Sequence, residues 1–481
     1  LLLRSTLTYA PAVFLTRMSA LLLLIIATRL IDQGEYGLLT LVVTIGEMTD
    51  AAVTGWLRIS LLRLGGKGDV SRSNVRLARS VLVGTTVLAL VVAAAASAVV
   101  APERWTAFAT AVSVYLAAGA VSRFGLTLLQ MQQRHSTYAM LEFLRAVLQL
   151  VLPIVAIPLF GTSFLVVSLG TSVATLAAGL VSLHLATSRL VAGPATFTYR
   201  EFLTLGLPMV VTTLVSFGLT DAERIILKMS HDASAVAIFA AAYALARQPI
   251  DTLANAVNMG AFPELVSRFD TEGEQAAATF LTDLMALTLR LCLPTAALLV
   301  VLAEEITALV LPASYLDGIV GLFPLIVAGV IAANLTNTVY ANVMHVHKRP
   351  WLLTAVYGLG SAVGIVLSLL LIPQMAERGA ALALLGGSLA LLAAGITATR
   401  RLTPVPLPYR AIGVALVVAL ACGLGARLAA DAFSAFPLFL RLAAAGLCAL
   451  AIFLGLNALF HWQEARRLAA TFRQRLSRPA T

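Results

Sequence analysis

Charge is scarce in this sequence. Of its 481 residues only 12% are Asp, Glu, Lys or Arg while 60% are apolar, against about 25% charged in an ordinary soluble chain. A soluble globular protein is excluded, and an all-α polytopic membrane protein is expected. Cysteine is scarcer still. Cys292, Cys422 and Cys448 each fall in an apolar run without metal-ligand spacing, so they read as packing residues, with neither a disulfide framework nor a zinc site. Nucleotide chemistry is missing too: the loop Gly65-Gly66-Lys67-Gly68 lacks P-loop spacing and the following Ser or Thr. The histidines His135, His184, His231, His345, His347 and His461 are scattered and form no hydrolytic constellation. His345 with His347 reads as a solvated pair, and no cofactor is expected.

What is present is a series of apolar stretches. They can be drawn at 9–31, 37–62, 80–100, 105–129, 139–159, 163–187, 202–220, 235–261, 280–303, 318–344, 351–372, 379–399, 411–430 and 436–460, which predicts fourteen spanning helices. Fourteen helices of about 21 residues leave only short connections. That argues against an ATP-driven pump with its own nucleotide domain and against polymerases or ligases that carry a large external loop. The first run, starting near Tyr9, is too long for a signal-peptide core and reads as a retained span after a short or clipped N-terminus.

The net charge of +10 follows from orientation rather than nucleic-acid binding, because Lys and Arg are retained on the cytoplasmic side. Alternate ends and loops carry twenty basic residues against six on the other set. This holds only for an even number of helices with both termini cytoplasmic. The tail, residues 461–481, places Trp462, Ala465, Ala469, Phe472 and Leu476 on one helical face. It reads either as an amphipathic helix on the inner leaflet or as a solvated basic tail.

A faint repeat divides the chain. The first span opens with Tyr9-Ala10-Pro11 and the seventh with Leu205-Gly206-Leu207-Pro208, and each is followed by a polar-striped span. Residues 1–190 and 191–402 are therefore expected to form two six-helix lobes, with two additional helices in 403–460. Parallel repeats of this kind are a transporter architecture with the substrate site at the repeat interface.

Charges inside the spans are the strongest functional signal, since each costs about 2.5–3.5 kcal/mol near the bilayer centre. Glu47, Asp50, Thr54 and Arg58 share one helical stripe, and Arg247, Asp251, Asn255 and Asn258 share another on the corresponding span of the second lobe. Two readings compete. The stripes line a water-filled cavity between the lobes, or their carboxylates and guanidiniums pair within a packed interior. Arg17, a third of the way into the first span with no acid at helical spacing, is a candidate ligand contact. Glu142 and Arg145 read as a structural ion pair. Arg123 reads as snorkelling to the cytoplasmic surface. Asn334, Asn337 and Asn342 fit interhelical hydrogen bonding as well as substrate contact. Seven Arg against five acids within the spans favour an anionic, phosphorylated substrate, because guanidinium stays charged and binds phosphate bidentately. The acids are natural sites for a proton or sodium ion.

Several segments carry a family resemblance: Ala27-Thr-Arg-Leu-Ile-Asp-Gln-Gly-Glu-Tyr-Gly37, Phe202-Leu-Thr-Leu-Gly-Leu-Pro208, Asp221-Ala-Glu-Arg-Ile-Ile-Leu227 and Phe262-Pro-Glu-Leu265. Glu305-Ile306 with Tyr315, then Leu371-Ile-Pro373 before Gly379-Ala-Ala-Leu382, complete the series. In this order the chain resembles bacterial polysaccharide transporters, the oligosaccharide flippases of the multidrug/oligosaccharidyl-lipid/polysaccharide exporter superfamily. The resemblance implies a V-shaped two-lobed carrier in the bacterial cytoplasmic membrane. Such a carrier moves undecaprenyl-diphosphate-linked oligosaccharide to the outer leaflet by alternating access, with an H+ or Na+ gradient and polymerase or export machinery as partners. By position Arg17, Arg58 and Arg247 belong to its cationic cavity, and Glu47, Asp50, Asp251, Asn255 and Asn258 to its polar or ion-coupling wall. The family usually has Asp directly before the Arg of the seventh-span motif. Here Asp221 stands three residues before Arg224, with Glu223 adjacent to it. The alternatives are a multidrug cation antiporter of the same superfamily, which the Arg surplus opposes, a membrane glycosyltransferase or polymer ligase, which the short loops oppose, and a noncatalytic scaffold in a polymer-synthesis complex.

Overall fold

The computed structural model describes residues 19–64, 70–195, 198–201 and 221–460, with isolated positions from 204 to 218. Helix is the only regular element among them, apart from one isolated bridge between Ser71 and Val191. The helices are α1 (Ser19–Leu30), α2 (Gln33–Val53), α3 (Gly55–Leu64), α4 (Arg72–Val100), α5 (Trp105–Met131), α6 (His135–Phe160), α7 (Phe164–Thr187) and α8 (Ala222–Ser230). They continue as α9 (Ala233–Glu272), α10 (Glu274–Val301), α11 (Ala303–Val310), the largely helical α12 (Ala313–Val346), α13 (Pro350–Thr399), α14 (Tyr409–Ala432) and α15 (Leu438–Phe460).

Among the described residues, eleven helices are long and apolar enough to span a bilayer. One of them, α13, leaves helical geometry at Ala376 (φ 47°, ψ −126°) and so merges two helices across a kink. Gly379 stands so close to the Leu371 carbonyl that a Cβ would collide with backbone, the tight approach for which glycine is suited. The two halves of α13 match the expected spans 351–372 and 379–399. Of the fourteen expected spans, 202–220 falls largely outside the described residues, 9–31 is described from Ser19 onward, where α1 lies, and the other twelve lie on described helices. The span expected at 37–62 is broken: Thr54 back-bonds to the Asp50 carbonyl (2.9 Å) and Gly55 follows, a combination that ends a helix.

The chain forms two compact units, one from Leu1–Leu245 with Thr354–Ala390, the other from Ala246–Leu353 with Leu391–Thr481. In the first, Trp56, Leu57 and Leu61 of α3 pack with Val75 and Ala78 of α4 and with Phe124 and Leu128 of α5. Glu35 of α2 accepts the Phe164 amide (2.7 Å), an orphan donor at the start of α7. The same carboxylate pairs with Arg104, whose guanidinium lies 4.9 Å over the Phe164 ring. In the second unit, Leu281, Leu284 and Met285 of α10 pack with Val339, Tyr340 and Val343 of α12. Glu305 of α11 accepts from Arg427 of α14 (3.0 Å) and Arg441 of α15 (2.6 Å), tying both C-terminal helices to one carboxylate.

The outward faces are apolar. Val83, Val87 and Val91 on α4 and Leu447, Leu450 and Leu454 on α15 are exposed at helical spacing, the pattern of side chains that meet lipid. The protein is a multi-span membrane protein.

Candidate functional site

The stripe on α2 and α3 finds its partners on α5. Thr54 donates to the Asp50 carboxylate, and Arg58 donates to Asp50 Oδ2 at 3.1 Å. From α5, Arg123 places Nε 3.1 Å from Asp50 Oδ2 and Nη1 3.1 Å from Glu47 Oε1. Tyr115 donates to Glu47. Two carboxylates and two guanidiniums thus share one cluster with no net formal charge. Asp50 is only 2% exposed, and a carboxylate that deep is tolerated because opposite charge and hydrogen bonds replace its water.

Glycine makes the geometry possible. A Cβ at Gly46 would overlap the Tyr115 ring, and one at Gly119 would overlap the Arg123 guanidinium. A void of about 10 Å³ lies against Asp50, Thr54, Arg58 and Arg123, at the lower limit of room for one water molecule.

Arg123 is a correction to the sequence reading. Rather than snorkelling, it turns into the protein and bridges the two acids of α2. Its spacing on α5 gave no sign of this, because the acids that hold it are on another helix. Tyr115 carried no sequence signal for the same reason.

The second stripe lies on α9 and is met by α12. Arg247 Nε donates to Asp251 Oδ2 at 2.6 Å. The other oxygen of Asp251 accepts from Asn334 Nδ2 at 2.7 Å. Asn255 donates to the Asp251 backbone carbonyl (2.7 Å), and Asn258 accepts from Asn342 Nδ2 (2.7 Å). Of the two readings left open for the asparagines of this span, interhelical bonding is what Asn334 and Asn342 make.

The register of this ladder depends on a π-helical turn, Thr336–Tyr340. On α9, Asp251 and Asn258 are seven residues apart, which at about 100° per residue returns them nearly to one face. On α12, Asn334 and Asn342 are eight apart and in a regular α-helix would diverge by about 80°. The wider π turn absorbs about one residue and brings both amides round to α9.

Arg58 and Arg247 keep 33% and 41% of their side-chain surface exposed, so each is ion-paired without being enclosed. Glu142 and Arg145 form the expected pair, with Nη2 2.7 Å and Nε 3.1 Å from the two carboxylate oxygens. Arg17 lies outside the described residues. Glu305, which accepts from two arginines, was singled out in the sequence only within the resemblance motif Glu305-Ile306. Among the described residues no group of three or more His, Cys, Asp or Glu is placed to hold a metal ion.

Comparison with solved structures places this architecture. The lipid II flippase MurJ, in an inward closed conformation, superposes with a TM-score of 0.75 at 12% identity, over 95% of this chain and 99% of that one. The eukaryotic MATE transporter AtDTX14 gives 0.55 at 14% identity, over 87% and 99%. An outward-facing multidrug resistance MATE transporter of the MOP superfamily gives 0.50 at 13%, over 84% and 95%. At such identities the likeness is one of fold, and the fold is that of these transporters. No curated protein sequence matches the chain. The family model described as polysaccharide biosynthesis protein matches residues 26–320, more than half of the sequence, and the chain therefore belongs to that polysaccharide biosynthesis family.

Proposed function

We propose that the protein moves a polyprenyl-diphosphate-linked oligosaccharide, a repeat unit for polysaccharide synthesis, from the inner to the outer leaflet of a bacterial cytoplasmic membrane. Transport proceeds by alternating access and is coupled to a proton or sodium gradient. The observation that carries this reading is the retention of accessible guanidiniums on polar helix stripes, Arg58 and Arg247. A guanidinium within a spanning segment is costly and stays charged, and its fork of donors matches the oxygens of a diphosphate. Arg17, read from sequence alone, belongs with them. Glu47, Asp50 and Asp251 act as partners that neutralise these guanidiniums when no anion is bound. Asn255 and Asn258 line the same polar face.

The family and the MurJ-like fold support a lipid-linked substrate. The test is reconstitution in liposomes with a fluorescent polyprenyl-diphosphate-linked sugar, reading leaflet exchange with and without an ion gradient. Exchange that the gradient accelerates, and that falls at least about tenfold on Arg58→Ala or Arg247→Ala, is the expected result. Equal exchange in protein-free liposomes, or unimpaired exchange in both variants, overturns the proposal.

A further inference from the structure

The first unit contains a cavity of about 370 Å³, walled by α1, α2 and α5 to α9, which touches the Asp50 cluster only through Tyr115. Its polar lining includes Tyr36, Tyr115, Arg145, Gln149, Thr171 and Arg224, opposed by aliphatic side chains of α1 and α2. The volume is at the small end of the range for small-molecule sites, about 300–1,000 Å³, and suits a single sugar unit.

The two arginines in the wall differ in what they have left to give. Arg145 spends Nε and Nη2 on Glu142 and Nη1 on Gln149 (3.2 Å), and Gln149 in turn donates to Thr175 (2.9 Å). It is a neutralised structural strut. Arg224 is anchored through Nη1, which donates to Thr44 (3.0 Å) and lies 3.2 Å from Asp221. Its guanidinium stacks 5.4 Å over Tyr243. Its Nε is buried and has no hydrogen-bond partner. A buried donor without a partner is costly, and a small turn of this guanidinium would present Nε with Nη2, the side-on edge by which arginine takes a carboxylate, to the cavity. The wall as a whole is close to neutral, because Glu142 and Asp221 already offset the two guanidiniums. Such a wall accepts one negative charge at the Arg224 fork and disfavours the multiple charges of a diphosphate. The remaining lining, hydroxyls and an amide facing aliphatic surface, is the mixture that recognises a sugar ring.

We propose that this cavity is a subsite for a carboxylate-bearing sugar of the transported glycan, with Arg224 as the carboxylate receptor. The proposal rests on the flippase reading and narrows its substrate class to acidic glycans.

The test uses the full chain in lipid nanodiscs, titrated calorimetrically with D-glucuronate, D-glucose and inorganic phosphate. Glucuronate is expected to bind at least about tenfold tighter than glucose and to resist displacement by phosphate. Arg224→Gln is expected to weaken glucuronate at least about tenfold, with Arg224→Lys between the two because it keeps the charge and loses the fork. Ala244→Leu fills the wall without touching a charge and is expected to abolish binding while thermal unfolding stays cooperative. If Arg224→Gln fails to fold, Ala244→Leu decides. Equal binding of glucose and glucuronate, displacement by phosphate, or full binding in Ala244→Leu overturns the subsite. Free-sugar binding is read without translocation. Absent glucuronate binding with intact leaflet exchange therefore sinks the subsite alone, and intact binding without exchange of any lipid-linked sugar sinks the flippase reading alone.

Discussion

In the first unit Asp50 meets two guanidiniums and a hydroxyl, whereas in the second Asp251 meets one guanidinium and one amide. Both carboxylates sit on the polar stripe of a helix and both are met by a helix two spans further along. The difference is in charge bookkeeping. The Asp50 cluster is ionic and closed: removing any one member leaves an unbalanced buried charge. The Asp251 ladder is mostly amide, so its asparagines can be lost singly without stranding a charge, and Arg247 remains more exposed than Arg58. Ion pairs of the first kind hold helices firmly but tolerate little change, while interhelical amide bonds in membranes are worth about 0.6 kcal/mol on average. The comparison predicts a rigid first unit and a more adaptable ladder in the second.

The largest effect should come from Asp50→Ala, which leaves Arg58 and Arg123 with Glu47 as their one remaining carboxylate. A loss of about 3–5 kcal/mol is expected, read as a large drop in detergent unfolding temperature. The comparison breaks if Asp251→Ala costs as much. A double-mutant cycle on Asp50 and Arg123 sharpens it, with an expected coupling of about 1–3 kcal/mol and a coupling near zero excluding the ionic cluster. Gly46→Leu should disturb the same cluster by displacing Tyr115, at about 1–3 kcal/mol as for other overpacked sites, and Tyr115→Ala in the same chain should recover part of the loss. Asn334→Leu removes the amide donor to Asp251 for about 1 kcal/mol, measured by the same unfolding assay. Asn342→Leu is the smallest, under about 1 kcal/mol. Deleting one residue from the π turn should cost less than both Asn variants together in the same assay, because a regular α-helix with one residue fewer keeps both amides facing α9.

Much of the fold was legible in the sequence because hydropathy reports on lipid directly: a helix that spans must be apolar along its whole length. The stripes on α2 and α9 were legible for a related reason, since helical spacing places residues on a face. What a face looks at is another matter. Arg123 read as a snorkelling residue because no acid lay near it in sequence, and Tyr115, an apolar-looking aromatic among alanines, carried no signal. Glu305 stood out only as part of a short motif, although it gathers Arg427 and Arg441 from the last two helices. The break at Thr54 was hidden within a stretch, 37–62, long enough to read as one span.

Composition and periodicity by themselves determined that this chain lives in a membrane, about where it crosses, and which of its helix faces are polar, because each of these is a property of one segment against its solvent. Only the tertiary structure decided which polar group answers which: that Asp50 is shared by two arginines, that a π turn brings Asn334 and Asn342 into step with Asp251 and Asn258, and that Arg224 keeps a buried Nε donor without a hydrogen-bond partner. Pairing depends on which helices are neighbours and on their rotation to within a fraction of a turn, and no single segment encodes that.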